Sequence, residues 1–295
     1  MYKLKLLGGV LLSGPDGPVS GPATQQRRLA LLALIGSAGD RGRSRDQLIG
    51  LLWPDADPGE ARPNLSHSLY ALRKALGQDA VRTVGEYVRL EPIHVEVDSR
   101  MFGKAVRAKE LERAAALYAG RFMEGFFIDG SPEFERWVDT ERRQLEAEYE
   151  RCVLTLAAGA ESRGDHAAAA DWWRRLVSHD PYNSAAVVSL MDSLASAGDP
   201  ANALQFAEDH IRLLDEEFGM GPPEPVLQKM SALRNAAERV PLPPRRARPA
   251  SGAAGPPGDT SQSHPGAGLR PRTMLAMVAA DAVLAGAWAI RARPD

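Results

Sequence analysis

ARPNLSHSLYALRKALG, residues 61–77, carries two kinds of surface on one helix. Leu65, Leu69, Leu72 and Leu76 recur at i, i+4, i+7 and i+11, one stripe of a 3.6-residue period, while His67, Tyr70 and Lys74 fall on the opposite side. The leucine stripe belongs to a core, and the polar side is left to meet solvent or a partner. Directly downstream, AVRTVGEYVRL (residues 80–90) has two β-prone runs around Gly85, with Arg82 and Arg89 on either side, and reads as a hairpin.

Upstream, the runs KLKLL and VLL are separated by Gly8-Gly9 and by the turn residues of SGPDGP, which predicts a small antiparallel sheet between Tyr2 and Val19. TQQRRLALLALIGSAG predicts a helix from about Thr24 to Ser37, stopped before Gly39. Ser44 is placed to cap RDQLIGLLW, a second helix ended by Pro54. Strands, three helices and a hairpin within residues 1–97 are the order of a winged helix-turn-helix domain, a small α+β unit.

From Asp98 the strand signals stop, and residues 98–240 read as all-α. Helices are expected at 99–107 and 110–119, then a long one opening at Ser131-Pro132-Glu133, with serine as its cap, and running to Gly164. Gly164-Asp165 recurs as Gly198-Asp199, a period of 34 residues, the length of a tetratricopeptide repeat. The first unit has the small Ala169, the aromatic Trp173, Leu176 and a closing Asp180-Pro181, while the second keeps Ala203 but has Ala207 and Asp215 in the later positions. Helices at 184–197, 201–218 and 224–238 continue the stack.

At Pro241 the composition changes. Residues 241–272 are rich in Pro, Gly, Ser and Arg and cannot bury a core, so they read as a disordered linker. Residues 273–290 form an apolar run bounded by Arg270, Arg272, Arg291 and Arg293, a candidate transmembrane helix at the lower length limit. Asp281 near its centre costs about 2.5–3.5 kcal/mol on insertion scales.

The formal net charge of −2 hides an uneven distribution: residues 1–97 carry 12 basic and 10 acidic side chains, residues 98–240 carry 17 and 25, and the remainder 7 and 3. No segment announces nucleic acid by charge alone. A single cysteine, Cys152, excludes a disulfide framework or a multi-cysteine metal site, and it reads as a small buried hydrophobe in a reducing compartment. The histidines have no i, i+4 pairing or acidic companions, so no metal and no cofactor is expected. Trp137, Trp172 and Trp173 fit a core better than a ligand site. Neither a GxxxxGK[ST] phosphate loop nor a GxSxG elbow is present, and nothing points to an enzyme. The N-terminal apolar stretch is broken by glycines and does not read as a signal peptide.

QRRLALLALI, SRDQLIGLLWPD, ARPNLSHSLYALRKALG with GEYVRL, ALYAGRFMEGF and the long helix after Ser131 together resemble regulators of the Streptomyces-antibiotic-regulatory-protein type. Those regulators join an OmpR-like winged helix to a bacterial transcriptional activator domain of tetratricopeptide-like helices. The chain departs from the pattern at Thr24-Gln25-Gln26, where a lysine is common, and in its tail after residue 240. The resemblance implies a transcriptional activator that binds direct repeats in double-stranded DNA, contacts RNA polymerase and associates with copies of itself. It implies a cytoplasmic location, which the apolar tail would modify to anchorage at the inner membrane.

On this reading residues 61–77 are the recognition helix, with Arg62, Asn64, Ser66, His67, Tyr70, Arg73 and Lys74 available to bases or phosphates. The helical wheel makes His67, Tyr70 and Lys74 outermost and puts Ser66 and Arg73 at the flank. Arg82 and Arg89 on the wing are candidates for minor-groove or phosphate contact, and Arg27 and Arg28 for backbone phosphate. Taken alone, the same residues describe an amphipathic helix with a solvated face. The rival function is a protein–protein scaffold, in which the repeats bind a partner segment and the winged helix is a docking fold.

Overall fold

The computed structural model describes residues 1–238. The expected linker 241–272 and the apolar run 273–290 lie outside the described residues; among those described, no helix is long and apolar enough to cross a membrane. The fold is mainly α: a small α+β winged helix is followed by an all-α stack.

The chain opens with β1 (Tyr2–Lys5), β2 (Leu11–Gly14) and β3 (Gly17–Pro18), then a 3-10 turn at Pro22–Thr24 and α1 (Gln26–Ser37). Next come β4 (Arg43–Ser44), α2 (Arg45–Leu52) and α3 (Pro58–Leu76), followed by β5 (Val81–Val84), β6 (Tyr87–Leu90) and β7 (Val95–Val97). β1 pairs antiparallel with β2, as the apolar runs predict, but also parallel with β7, placing Lys3 opposite Glu96. The second sheet is ordered β4-β6-β5. Neither β4 nor β7 is announced by sequence, being two and three residues long. α1 starts two residues later than expected because Thr24 closes the preceding 3-10 turn on Gly21.

Ser44 caps α2 as predicted, in a full capping box: its hydroxyl accepts from the Gln47 N–H, and the Gln47 side chain accepts from the Ser44 N–H. Gly42 lets this segment reach the sheet. A Cβ there would stand 2.3 Å from the Val88 carbonyl oxygen, and φ is +70°.

The helical part comprises α4 (Asp98–Arg107), α5 (Leu111–Leu117), α6 (Pro132–Ser162), α7 (His166–His179), α8 (Ser184–Ser196), α9 (Pro200–Phe218) and α10 (Glu224–Glu238). The 34-residue period has a local cause. Gly164 and Gly198 take positive φ, and Asp165 and Asp199 then cap α7 and α9 by accepting from Ala168 and Asn202 N–H. Ala169 and Ala203 are fully buried where the helices pack closely. His210, 34 residues beyond Leu176, is buried at the equivalent position, its Nδ1 donating to the Pro181 carbonyl and its Nε2 accepting from the Ser184 hydroxyl.

One core runs from Leu4 and Leu12 through α1, α2 and α3 to Phe102, Phe134 and Val153, so the winged helix and α4–α6 share their apolar interior. Val187, Leu190, Ala207 and Val226 form a second cluster among the repeats. Ser131 stands at the start of α6, yet its hydroxyl does not cap that helix. It donates instead to the Leu52 carbonyl at the end of α2, 3.2 Å away, a group that would otherwise be an unsatisfied helix terminus.

Candidate nucleic-acid interface

α3 begins at Pro58, three residues before the leucine-striped segment, with a proline at its first turn and a second, Pro63, inside. Pro63, the sixth residue of the helix, removes the hydrogen bond that an N–H there would make to the Gly59 carbonyl, within two turns of the N-terminus. Ala61, Leu65, Leu69, Leu72 and Leu76 are buried, whereas Arg62, Asn64, Ser66, His67, Tyr70 and Lys74 are exposed. Tyr70 is 63% exposed, which makes it one of the large side chains that α3 holds in solvent.

The remaining predicted residues are engaged by the protein itself. Arg73 is half-buried: its Nε donates to the Val81 carbonyl at 2.9 Å and an Nη to the Thr83 hydroxyl at 2.7 Å, so it ties α3 to the first wing strand. The Ser66 hydroxyl donates to the Arg62 carbonyl at 2.9 Å and accepts from an Nη of Arg45 at 3.4 Å. On the wing, Arg82 and Arg89 are cross-strand partners, and both lie beside Glu91, at 4.0 and 2.9 Å. The two positive charges are thus held together and partly offset by one carboxylate. Arg27 and Arg28 each donate one hydrogen bond to a carbonyl of the chain, that of Asp129 and that of Pro22.

β5 and β6 are joined by Gly85-Glu86, a two-residue turn with glycine first and φ +59°. Val84 and Tyr87 flank the tip and are about half exposed. Two features were missed from sequence: Tyr87 at the wing tip, and Arg45, which opens α2 beside Ser66. Arg45 directly follows the capping serine, the position from which the first helix of a helix-turn-helix meets backbone, and this was the available signal. A groove of about 390 Å³ lies along the other edge of α3, between Tyr70, Lys74 and the Pro22–Ala23 turn.

The surface therefore has a polar helical stripe of Arg62, Asn64, His67, Tyr70 and Lys74, a basic residue at the preceding helix, and an aromatic-tipped hairpin fixed to the helix by Arg73. Hydrogen-bond donors and acceptors of this kind are what base edges and phosphates require, and Glu60, one turn before Asn64, is the acidic residue that shares the stripe. Among the described residues, no group of His, Cys, Asp or Glu is placed to hold a metal.

The side of the winged helix facing α6 is built differently. Asp98 accepts from the backbone N–H groups of Leu6, Leu7 and Ser99 at 2.7–3.0 Å, while burial pushes its carboxyl above the ordinary range against the pull of those donors. The Arg43 guanidinium lies 5.1 Å above the Trp137 ring and donates to the Leu34 carbonyl, its pKa lowered by burial. Glu141 accepts from the Trp137 indole at 3.0 Å, and burial raises its carboxyl.

Residues 99–233 match the family described as the bacterial transcriptional activator domain. No curated protein matches the chain. Among solved structures, the fold is similar to that of EmbR of Mycobacterium tuberculosis, solved in complex with a low affinity phosphopeptide, with a TM-score of 0.52 at 19% identity. The alignment covers 80% of this chain and 65% of the EmbR chain, so the present chain spans about two thirds of that protein.

Proposed function

We propose that the chain, whose residues 99–233 match the bacterial transcriptional activator domain and stand behind a winged helix, is a transcriptional regulator of the Streptomyces-antibiotic-regulatory-protein type that reads promoter DNA with α3 and the wing. The observation that carries the reading is the two-sidedness of α3. Its leucine stripe is sealed in the core, and its polar stripe stands free beside a wing that Arg73 holds in place. In this proposal Asn64 and His67 face base edges, Arg62, Tyr70 and Lys74 meet phosphate or flanking bases, and Arg45 of α2, bonded to Ser66 of α3, fixes the preceding helix on the backbone with it. Arg82 and Arg89 place the wing against a phosphate or the minor groove, and Arg73 positions the wing without touching DNA.

The proposal extends to binding of direct repeats by more than one copy and to contact of the helical domain with RNA polymerase. Its support is the exposed aromatic pair Tyr182 and Phe218, 5.0 Å apart, with Met220 close by in sequence and also exposed. The same patch is the observation that favours the rival reading of a protein–protein scaffold. The apolar run 273–290 would anchor the regulator to the inner membrane, and release of the full chain from membranes by detergent but not by salt tests that part.

Fluorescence anisotropy of the full chain with promoter fragments at two salt concentrations separates regulator from scaffold. Binding that weakens with salt and is reduced by His67→Ala and Lys74→Ala supports DNA reading; indifference to salt and to both substitutions favours the scaffold.

A further inference from the structure

A second polar feature, away from α3, lies where the end of α1 meets α4 and α6: a cleft of about 310 Å³, at the lower end of the range for small-molecule sites. One wall is basic, with Lys104 and Arg107 spaced along α4. The facing wall is acidic, with Glu141 and Glu148 seven residues apart on α6. Opposite charges on facing helices ordinarily close into ion pairs, but among the described residues Lys104, Arg107 and Glu148 make none, and Glu141 is bonded only to the Trp137 indole.

Two serines, Ser37 and Ser99, line the same cleft. The oxygens of Ser37 and Ser99 are buried without a hydrogen-bond partner in the protein, and Ser99 is only 8% exposed. A buried hydroxyl left unpaired carries its full desolvation cost, so a group that hydrogen-bonds it is strongly favoured there.

We propose that this cleft binds a small zwitterion of amino-acid type, its carboxylate toward Lys104 and Arg107, its ammonium toward Glu141 and Glu148, and its polar atoms on the Ser37 and Ser99 hydroxyls. The charge pattern selects the class. A simple anion such as phosphate would be repelled by the acidic wall, and a polyamine by the basic one, whereas a zwitterion satisfies both. Ser37 belongs to the winged helix and the two walls to the helical domain, so an occupant would tie the DNA-facing part to the part behind it. The Arg100–Asp40 ion pair already crosses the junction at the cleft's edge.

The test is thermal unfolding of the full chain with each of the twenty L-amino acids at 5 mM in turn, with inorganic phosphate and spermidine as controls. At least one amino acid is expected to raise Tm saturably by about 3 °C, which corresponds to a ligand well above its Kd, while the controls do not. Lys104→Ala with Glu148→Gln, both at the cleft surface, is expected to weaken the response at least tenfold. Ser99→Ala is expected to do the same while raising the Tm of the ligand-free chain by about 2 °C, because the unpaired hydroxyl is gone. No shift with any amino acid would overturn the proposal, as would a shift that survives both variants. A ligand-free Ser99→Ala chain that is less stable would also overturn it, by showing that the hydroxyl is already satisfied by solvent. The readout is stability, so it stands or falls separately from DNA reading by α3.

Discussion

Where the winged helix meets the helical domain, most buried polar groups are matched, the hydroxyls of Ser37 and Ser99 apart: Asp98 takes up three backbone N–H groups, Arg43 lies on Trp137, and Ser131 answers the end of α2. Where α3 and the wing face outward, Asn64, His67, Tyr70 and Lys74 stand in solvent, and among the described residues they make no side-chain hydrogen bond or ion pair of their own. The same small domain therefore spends its polar groups in two ways. Matched groups hold one side rigid, and unmatched groups on the other keep their hydrogen-bonding capacity for something outside the chain.

That contrast breaks if substitutions on the two sides have the same effect, and the largest test lies in the core between them. Leu69→Ala should lose about 3 kcal/mol of stability in chemical denaturation, because Leu69 is sealed among α3's neighbours. Asp98→Ala should lose nearly as much, about 2–3 kcal/mol, since three backbone donors are left without an acceptor. A cost below 1 kcal/mol would mean that water replaces the carboxylate and that this side is less dry than drawn.

Arg73→Ala sits on the boundary of the comparison. It should cost about 1 kcal/mol and speed hydrogen exchange in residues 81–84 while leaving the rest of the winged helix protected. Loss of DNA affinity without faster exchange would return Arg73 to the reading face. Lys74→Ala should change stability by less than about 0.5 kcal/mol and yet flatten the salt dependence of DNA binding by about one unit of slope.

The smallest effect concerns pH. Burial raises the Glu141 carboxyl, so its folded form holds the proton more tightly than the unfolded chain does. The stability it contributes is present below the ordinary carboxylate range and is lost as pH rises through the raised value. Glu141→Gln should therefore match the parent chain at low pH and be slightly more stable at neutral pH, as read by denaturation at the two conditions.

The elements with a local cause could be read from sequence. The α3 leucine stripe follows from a 3.6-residue period, the α2 start from Ser44 with Gln47, and the repeats from Gly-Asp pairs that stop one helix and cap the next. What could not be read depends on residues distant in sequence. β7 pairs with β1 across some ninety residues, and Ser131 looks like a helix cap until Leu52 is seen beside it. The candidate interface shows the same limit. A helical wheel places Arg73 and Ser66 at the flank of α3 but cannot show that Val81, Thr83 and Arg45 have already engaged them. For His67, Tyr70 and Lys74, which the wheel puts outermost, no distant partner competes, and their exposure was legible.

α6 gives the molecule a mechanical property. Its 31 residues make a rod about 45 Å long, whose first turns are set in the core of the winged helix at Phe134 and Trp137 and whose last turns are gripped by α7 and α8 through Glu161, which accepts from Trp173 and Ser193. A rod clamped at both ends behaves as a torsion bar. The same continuous helix is thus anchored both among the repeats and in the core of the domain that carries α3.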